Sequence, residues 1–332
     1  MQARTLISQF FPYRLLRKIS RSRLAMPLYH LVSNQTPPHV RHLHIVKSEH
    51  EFISELDFFL KEHSPIGLQD LIDYIINGRQ LPEHALFLSF DDGYRECFDI
   101  IRPILLKKGI PATFFLTTDF LDNKKLGYKC KQSVLKESYL MLSGDKEINL
   151  LLSSIGLNSG DFSKAVDALE YHHQDKIDEL AEILGIDFNG YLAQSKPYLD
   201  STQVEQMLEE GFTIGAHSED HPVFENISIN EQIRQTENSI KFLEERFKIK
   251  YRTFAFPFYD NGVGRKFFDE ASSRHLFDIS FGTAGLMDDD IPNNLQRVWM
   301  EATSQTAKNI FKEKYLTKFV KLQIHKNIIH RL

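Results

Sequence analysis

The chain has 332 residues, 42% of them hydrophobic and 12% aromatic, with a formal net charge of -5, enough to bury a large core in one big domain or two small ones. The charge is uneven. Residues 1–48 carry Arg4, Arg14, Arg17, Lys18, Arg21, Arg23, Arg41 and Lys47 and no acid, and the tail from Lys308 is basic apart from Glu313; the acidic middle excludes a general nucleic-acid surface on the folded body. Cys97 and Cys130 cannot form a CxxC metal site or a disulfide framework and read as buried thiols.

Residues 1–25 form a basic arm containing LISQFFPYRLLRKISRSRL. No run approaches the roughly 18 apolar residues of a spanning helix. The apolar stretch 6–11 is short and is followed by Arg14, Arg17 and Lys18 instead of a small-residue cleavage site, so we expect no signal peptide and a cytoplasmic location. The arm has the pattern of a peripheral membrane contact, with aromatics inserted and arginines at headgroup level. The plainer alternative is a solvated or packed arm, since Pro12 interrupts any helix there.

MPLYHLV (26–32) is the first strand candidate, and residues 52–60 follow with helical spacing. LFLSF (86–90) is the second strand. Residues 97–108 read as a helix stopped by Gly109 and Pro111, and ATFFL (112–116) is the third strand. Residues 119–199 hold no obvious strand and read as a helical insertion, placed to act as a lid or a substrate-shaping wall. FTIGA (212–216), TFAF (253–256), FDISF (277–281) and LQRVW (295–299) complete the strands, separated by helical stretches at 201–210, 230–247 and 265–273. Ser201 is a candidate N-cap with Glu205 behind it. Residues 306–332 read as a basic C-terminal helix or tail. Strands alternating with helices predict a parallel α/β architecture, and seven in one series suggest a barrel over 26–118 and 200–305.

Asp91 and Asp92 follow the second strand directly, with Gly93 next, at the strand end where parallel folds bind ligands. Adjacent carboxylates there point in different directions, so one can hold a metal while the other faces substrate. His217 and His221, in HSEDH after FTIGA, can converge on one metal. One carboxylate and two imidazoles leave open positions for water and substrate, as a catalytic site requires. The remaining carboxylate would then take a proton from the attacking water. Pro257 ends a further strand and fixes a turn, and the amides after it, at Phe258 and Tyr259, are candidates to face an oxyanion. His30 ends the first strand and is either a pocket or a core histidine. His172 and His173 lie in the insertion and are not expected to bind metal.

SFDDG, HSxxH and FAFPF, in that order and each after a strand, resemble the first three motifs of the polysaccharide deacetylase family, also called the NodB homology domain or carbohydrate esterase family 4. YHLV, LPEHALFLSFDDGYRE and KKGIPATFFL resemble the family's flow, and the likeness covers roughly 26–118 and 200–300. It implies a distorted (β/α)7-type barrel and a bacterial metal-dependent hydrolase removing an acetyl group from an N-acetylated sugar of a polysaccharide or glycolipid precursor. It further implies Asp91 as base, metal-bound water as nucleophile, and Asp92, His217 and His221 as ligands of a divalent metal, usually Zn2+. The sequence departs from the family in two places. Ala255 stands where many members have an arginine on the catalytic aspartate, with Arg297 the candidate stand-in. No late Leu-x-x-His supplies a general acid, and His275 reads as a helix cap or a solvent-facing residue. These departures leave two other readings open: a weak or inactive glycan-binding protein, and an amidohydrolase acting on a non-sugar C–N bond.

Overall fold

A computed structural model describes residues 2–139, 150, 152–153 and 162–332. Seven short, buried strands carry the fold: β1 (Pro27–Tyr29), β2 (Leu88–Phe90), β3 (Ala112–Leu116), β4 (Thr213–Ala216), β5 (Thr253–Ala255), β6 (Ile279–Gly282) and β7 (Asn294–Gln296, continued by Val298–Trp299). Apart from Thr213, Leu295 and the exposed Trp299, side chains on both strand faces are buried, which is why these runs read as continuous apolar stretches. Every pairing is parallel, and the order follows the chain from β1 to β6. The first half of β7 pairs with β6 and its second half with β1. One run of chain, interrupted at Arg297, therefore closes the sheet into the expected distorted barrel.

The strands begin before the barrel proper. Leu24–Ala25, Ala85–Leu86 and Ser64–Pro65 form a small parallel sheet at the strand starts. Helices Glu49–Glu62 and Leu68–Asn77 flank that sheet's Ser64–Pro65. The first is capped by a reciprocal Ser48–Glu51 box. The expected helix over 97–108 is a π-turn (Cys97–Ile101) running into an α-helix (Arg102–Lys108). Pro103 explains the change: it has no N–H to return to the preceding turn, so the helix widens there. Ser201 is not the cap of its helix. Asp200 is, its side chain accepting from the Gln203 amide while Gln203 reaches back.

Between β3 and β4 the described residues are helical: Tyr128–Tyr139, Phe162–Asp167, Gln174–Ile183 and Phe188–Ser195. They share a core of Leu135, Phe162, Val166, Leu169, Ile177 and Leu180, separate from the main one. Residues 140–149, 151 and 154–161 of the expected insertion lie outside the described residues. The N-terminal arm forms two helices, Gln2–Gln9 and Tyr13–Ile19, broken at Pro12 as its sequence requires. Both pack on the C-terminal helix Ala307–Gln323. Beyond that helix Ile328–Ile329 pairs with Asp288–Asp289, and Arg331 is buried against Asp260 and Asp289.

Candidate active site

The C-terminal ends of β1, β2, β4, β5, β6 and β7 open on one cavity of about 380 Å³. Asp91, Asp92, His217, His221, His30 and Phe258 all line it, together with Phe120, Tyr128 and Asp167 from the β3–β4 segment, which thus forms one wall.

Backbone conformation aims these side chains. Asp92, Ser218, His221 and Phe258 all have positive φ, at 71°, 66°, 65° and 57°. Left-handed backbone is costly for residues with a Cβ and clusters at functional sites. After Asp92 the chain continues left-handed at Gly93 (φ 73°), where a Cβ would come within 2.9 Å of Leu116. On β4, a Cβ at Gly215 would meet the Phe115 ring at 2.4 Å, so only glycine lets the strand that delivers His217 sit this close to its neighbour.

Asp92, His217 and His221 bring one ligand atom each within 4.8 Å of one another. His217 Nε2 lies 3.3 Å and His221 Nε2 3.0 Å from Asp92 Oδ1. His217 Nδ1 donates to the Ala255 carbonyl at 2.8 Å, leaving the Nε2 lone pair facing the carboxylate. Asp92 Oδ1 is buried with no hydrogen-bond partner among the described residues. A buried, orphaned carboxylate oxygen facing two imidazoles is what a missing cation would satisfy. Burial opposes ionisation of Asp92, but the adjacent His221 and His217 outweigh it and hold the carboxyl well below its usual range. Burial lowers the His221 pKa, against the pull of Asp92. An ionised carboxylate and a neutral imidazole are the forms that bind metal.

Asp91 is held differently. Arg297 donates Nη1 to Asp91 Oδ1 at 2.7 Å and Nη2 to Oδ2 at 2.8 Å, a bidentate pair with the guanidinium fully buried. Arg297 also donates to Ser89 Oγ and lies over the Phe115 and Phe281 rings at 5.2 and 5.6 Å. The arginine missing at Ala255 is thus supplied from β7.

The turn after β5 differs from the sequence expectation at Tyr259. The Tyr259 amide donates to the Pro257 carbonyl at 2.7 Å and is not free to face an oxyanion. Its phenol bonds Glu225 at the pocket rim. The Phe258 amide has no hydrogen-bond partner among the described residues, and the turn is pinned by Thr283 Oγ1 donating to the Phe258 carbonyl. Pro257 shapes the turn without lining the pocket.

A second set in the same pocket is only half visible in sequence: His30, His44 and Glu301. The Glu301 carboxylate accepts from the His30 and Leu31 amides and from the Trp299 indole, and it lies 2.5 Å from His30 Nδ1. Burial would lower the His30 pKa, but Glu301 overrides it and raises the value to about 9. His44 stacks on His30 with ring centroids 4.7 Å apart. Burial lowers its pKa to about 4, against Glu301, and its Nε2 has no hydrogen-bond partner among the described residues. His30 is therefore a pocket histidine. His275 is exposed and outside the cavity, His172 and His173 lie against each other with tilted rings and belong to neither set, and Cys97 and Cys130 are free and buried, Cys130 lining the pocket wall.

Sequence comparison across families matches residues 78–263 to Polysaccharide deacetylase, more than half of the chain. The chain belongs to the polysaccharide deacetylase family, and that membership implies a hydrolase that deacetylates carbohydrate. No sequence among curated proteins matches it. Solved structures with a similar fold include the Streptococcus pyogenes deacetylase PplD in complex with acetate, at 13% identity and TM-score 0.55 over 90% of this chain and 98% of that one. IcaB from Ammonifex degensii aligns at 18% identity and TM-score 0.55 over 88% and 97%. A de-N-acetylase from Aggregatibacter actinomycetemcomitans aligns at 16% identity and TM-score 0.55 over 87% and 100%.

Proposed function

We propose that this chain hydrolyses the acetamide of an N-acetylated sugar in a polysaccharide or glycolipid precursor, with Asp91 as general base. The observation that carries the reading is the pairing of two unlike aspartates in one cavity. Asp92 has an orphaned oxygen facing two imidazoles, and Asp91 is locked beside it by a buried arginine. Asp92, His217 and His221 would hold a divalent ion, Zn2+ being the family's usual choice. Such an ion, when bound, supplies a Lewis acid that polarises the acyl carbonyl and acidifies water.

The chain's own groups do the rest. Asp91 takes the proton from the attacking water, its carboxylate kept in one orientation by Arg297. The unpaired Phe258 amide faces the oxygen that becomes negative as the carbonyl carbon turns tetrahedral. His30, charged and steadied by Glu301, gives its proton to the amine nitrogen as the C–N bond breaks, so acetate and a free amine leave. The presence of Arg297 on Asp91 and of His30 in the cavity disfavours an inactive binding protein, since a module that only held glycan would need neither. The reading is tested by acetate release from N-acetylglucosamine oligomers, compared with release from simple non-sugar acetamides. Release from the non-sugar amides alone would transfer the protein to a different amidohydrolase substrate class.

A further inference from the structure

The barrel end opposite the pocket carries a surface that catalysis does not use. Its first component is apolar. Leu6, Ile7, Phe10, Phe11 and Leu15 are all exposed within ten residues of the N-terminal arm, Phe10 to 85%. The neighbouring C-terminal helix Ala307–Gln323 adds exposed Val320, and Ile324 follows it. The arm is not loose, because Lys312 on that helix donates to the Gln9 carbonyl at 3.0 Å.

The second component is basic. Arg14, Arg17, Lys18, Arg21, Arg23 and Lys61 line a groove of about 1260 Å³. Glu62 is taken up by Arg14 at 2.9 Å, with Arg17 at 3.8 Å, and Glu83 lies 3.6 Å from His84. Lys18, Arg21, Arg23 and Lys61 have no carboxylate partner among the described residues. The two components meet on helix Tyr13–Ile19, where Leu15 and Lys18 sit three residues apart and face a second groove that they share with Arg21.

The position is fixed by the strands. Residues 21–23 and 80–84 of the basic groove immediately precede Leu24–Ala25 and Ala85–Leu86. His30 and Asp91 immediately follow the same two strand runs. Residues 85–90 in extended conformation put about 20 Å between the groove and the catalytic carboxylates.

We propose that this face docks on an anionic phospholipid surface, the Phe10–Phe11 edge inserting at the headgroup boundary and the unpaired bases engaging lipid phosphates. Exposed aromatics beside uncompensated cations are the pattern of an interfacial anchor. No helix among the described residues is long and apolar enough to cross a membrane, so the contact is peripheral. Docked this way, the catalytic pocket opens away from the bilayer, and the glycan reaches it from the aqueous side. The proposal does not depend on the catalytic reading, because its readout is binding.

The test is flotation of the full chain with vesicles of phosphatidylcholine alone and of phosphatidylcholine mixed with phosphatidylglycerol. The expected result is flotation with the anionic vesicles only, reversed by high salt. Phe10→Ser with Phe11→Ser, and separately Lys18→Glu with Arg21→Glu, should each cut vesicle partitioning by about tenfold or more with thermal unfolding unchanged. Absence of flotation at low salt, or equal flotation of parent and variants, overturns the proposal. So does binding to soluble polyphosphate that survives the phenylalanine changes, which would make the groove a polyanion site instead.

Discussion

Two sets of one carboxylate and two histidines share the pocket, and they are built for opposite ends. In both, the ligand-capable atoms lie within 4.8 Å of one another. Around Asp92 the carboxylate oxygen that faces the imidazoles is left without a hydrogen bond, and His217 is tied back through its other nitrogen. Around Glu301 the carboxylate is saturated by two backbone amides, an indole and a short contact to His30. The first set is the one we propose takes a cation; in the second, Glu301 raises the His30 pKa and favours its protonated form. Residue composition does not separate them, whereas the accounting of hydrogen bonds does.

The largest effect should come from breaking the first set. Asp92→Ala or His217→Ala should abolish stoichiometric metal binding, and acetate release with it, as read by metal analysis of the purified protein. Glu301→Gln should leave metal content unchanged, and loss of metal there would erase the distinction between the sets. Next in size is Asp91→Asn, expected to lower kcat by about 10²–10⁴-fold, the usual contribution of a positioned base. It also leaves Arg297 buried without its counter-charge, a loss of about 3–5 kcal/mol by the general cost of breaking a buried pair. Thermal unfolding should report that cost separately from the loss of turnover.

The second set is sharpened by pH. The folded pKa of His30 is raised from 6.5 to about 9, so its protonated form is the favoured one. The stabilisation from the His30–Glu301 pair is fully present below the unfolded value near 6.5 and is lost as pH rises through about 9. A proton donor with that value keeps activity up to the same limit. Glu301→Gln should therefore move the alkaline limb of kcat/KM down toward pH 6.5, and an unmoved limb would remove His30 from the mechanism. The smallest effect expected is structural. Gly215→Ala presses a methyl group on the Phe115 ring and should cost about 1–3 kcal/mol of stability with the pH profile unchanged.

The first set was legible in sequence and the second only through His30, for a physical reason. Asp91, Asp92, His217 and His221 each follow an apolar run whose burial on both faces marks it as a barrel strand, so their position at a strand end could be read directly. Arg297 was reached only through the family resemblance, as a stand-in on the last strand for the arginine that Ala255 replaces. Glu301 lies just past β7, and nothing local separates it from a surface glutamate until β1 closes against it. His44 sits in the irregular chain between β1 and helix Glu49–Glu62, with no periodicity to fix its direction. Helix Leu68–Asn77 was missed because its Leu-Ile-rich run suits strand and helix alike; its start at Gly67, whose amide donates to Asp70, decides for helix. Tyr259 was misread because a turn can spend an amide on its own carbonyl, which spacing does not reveal.

The central claim is that Asp92 holds the cation while Asp91 moves the proton. Metal content and acetate release from an N-acetylglucosamine oligomer, measured together on the parent and on Asp91→Asn, test it most directly. The account predicts equal metal in both proteins and release from the parent alone. Release that persists in Asp91→Asn, or a parent that releases acetate while binding no metal, would contradict it.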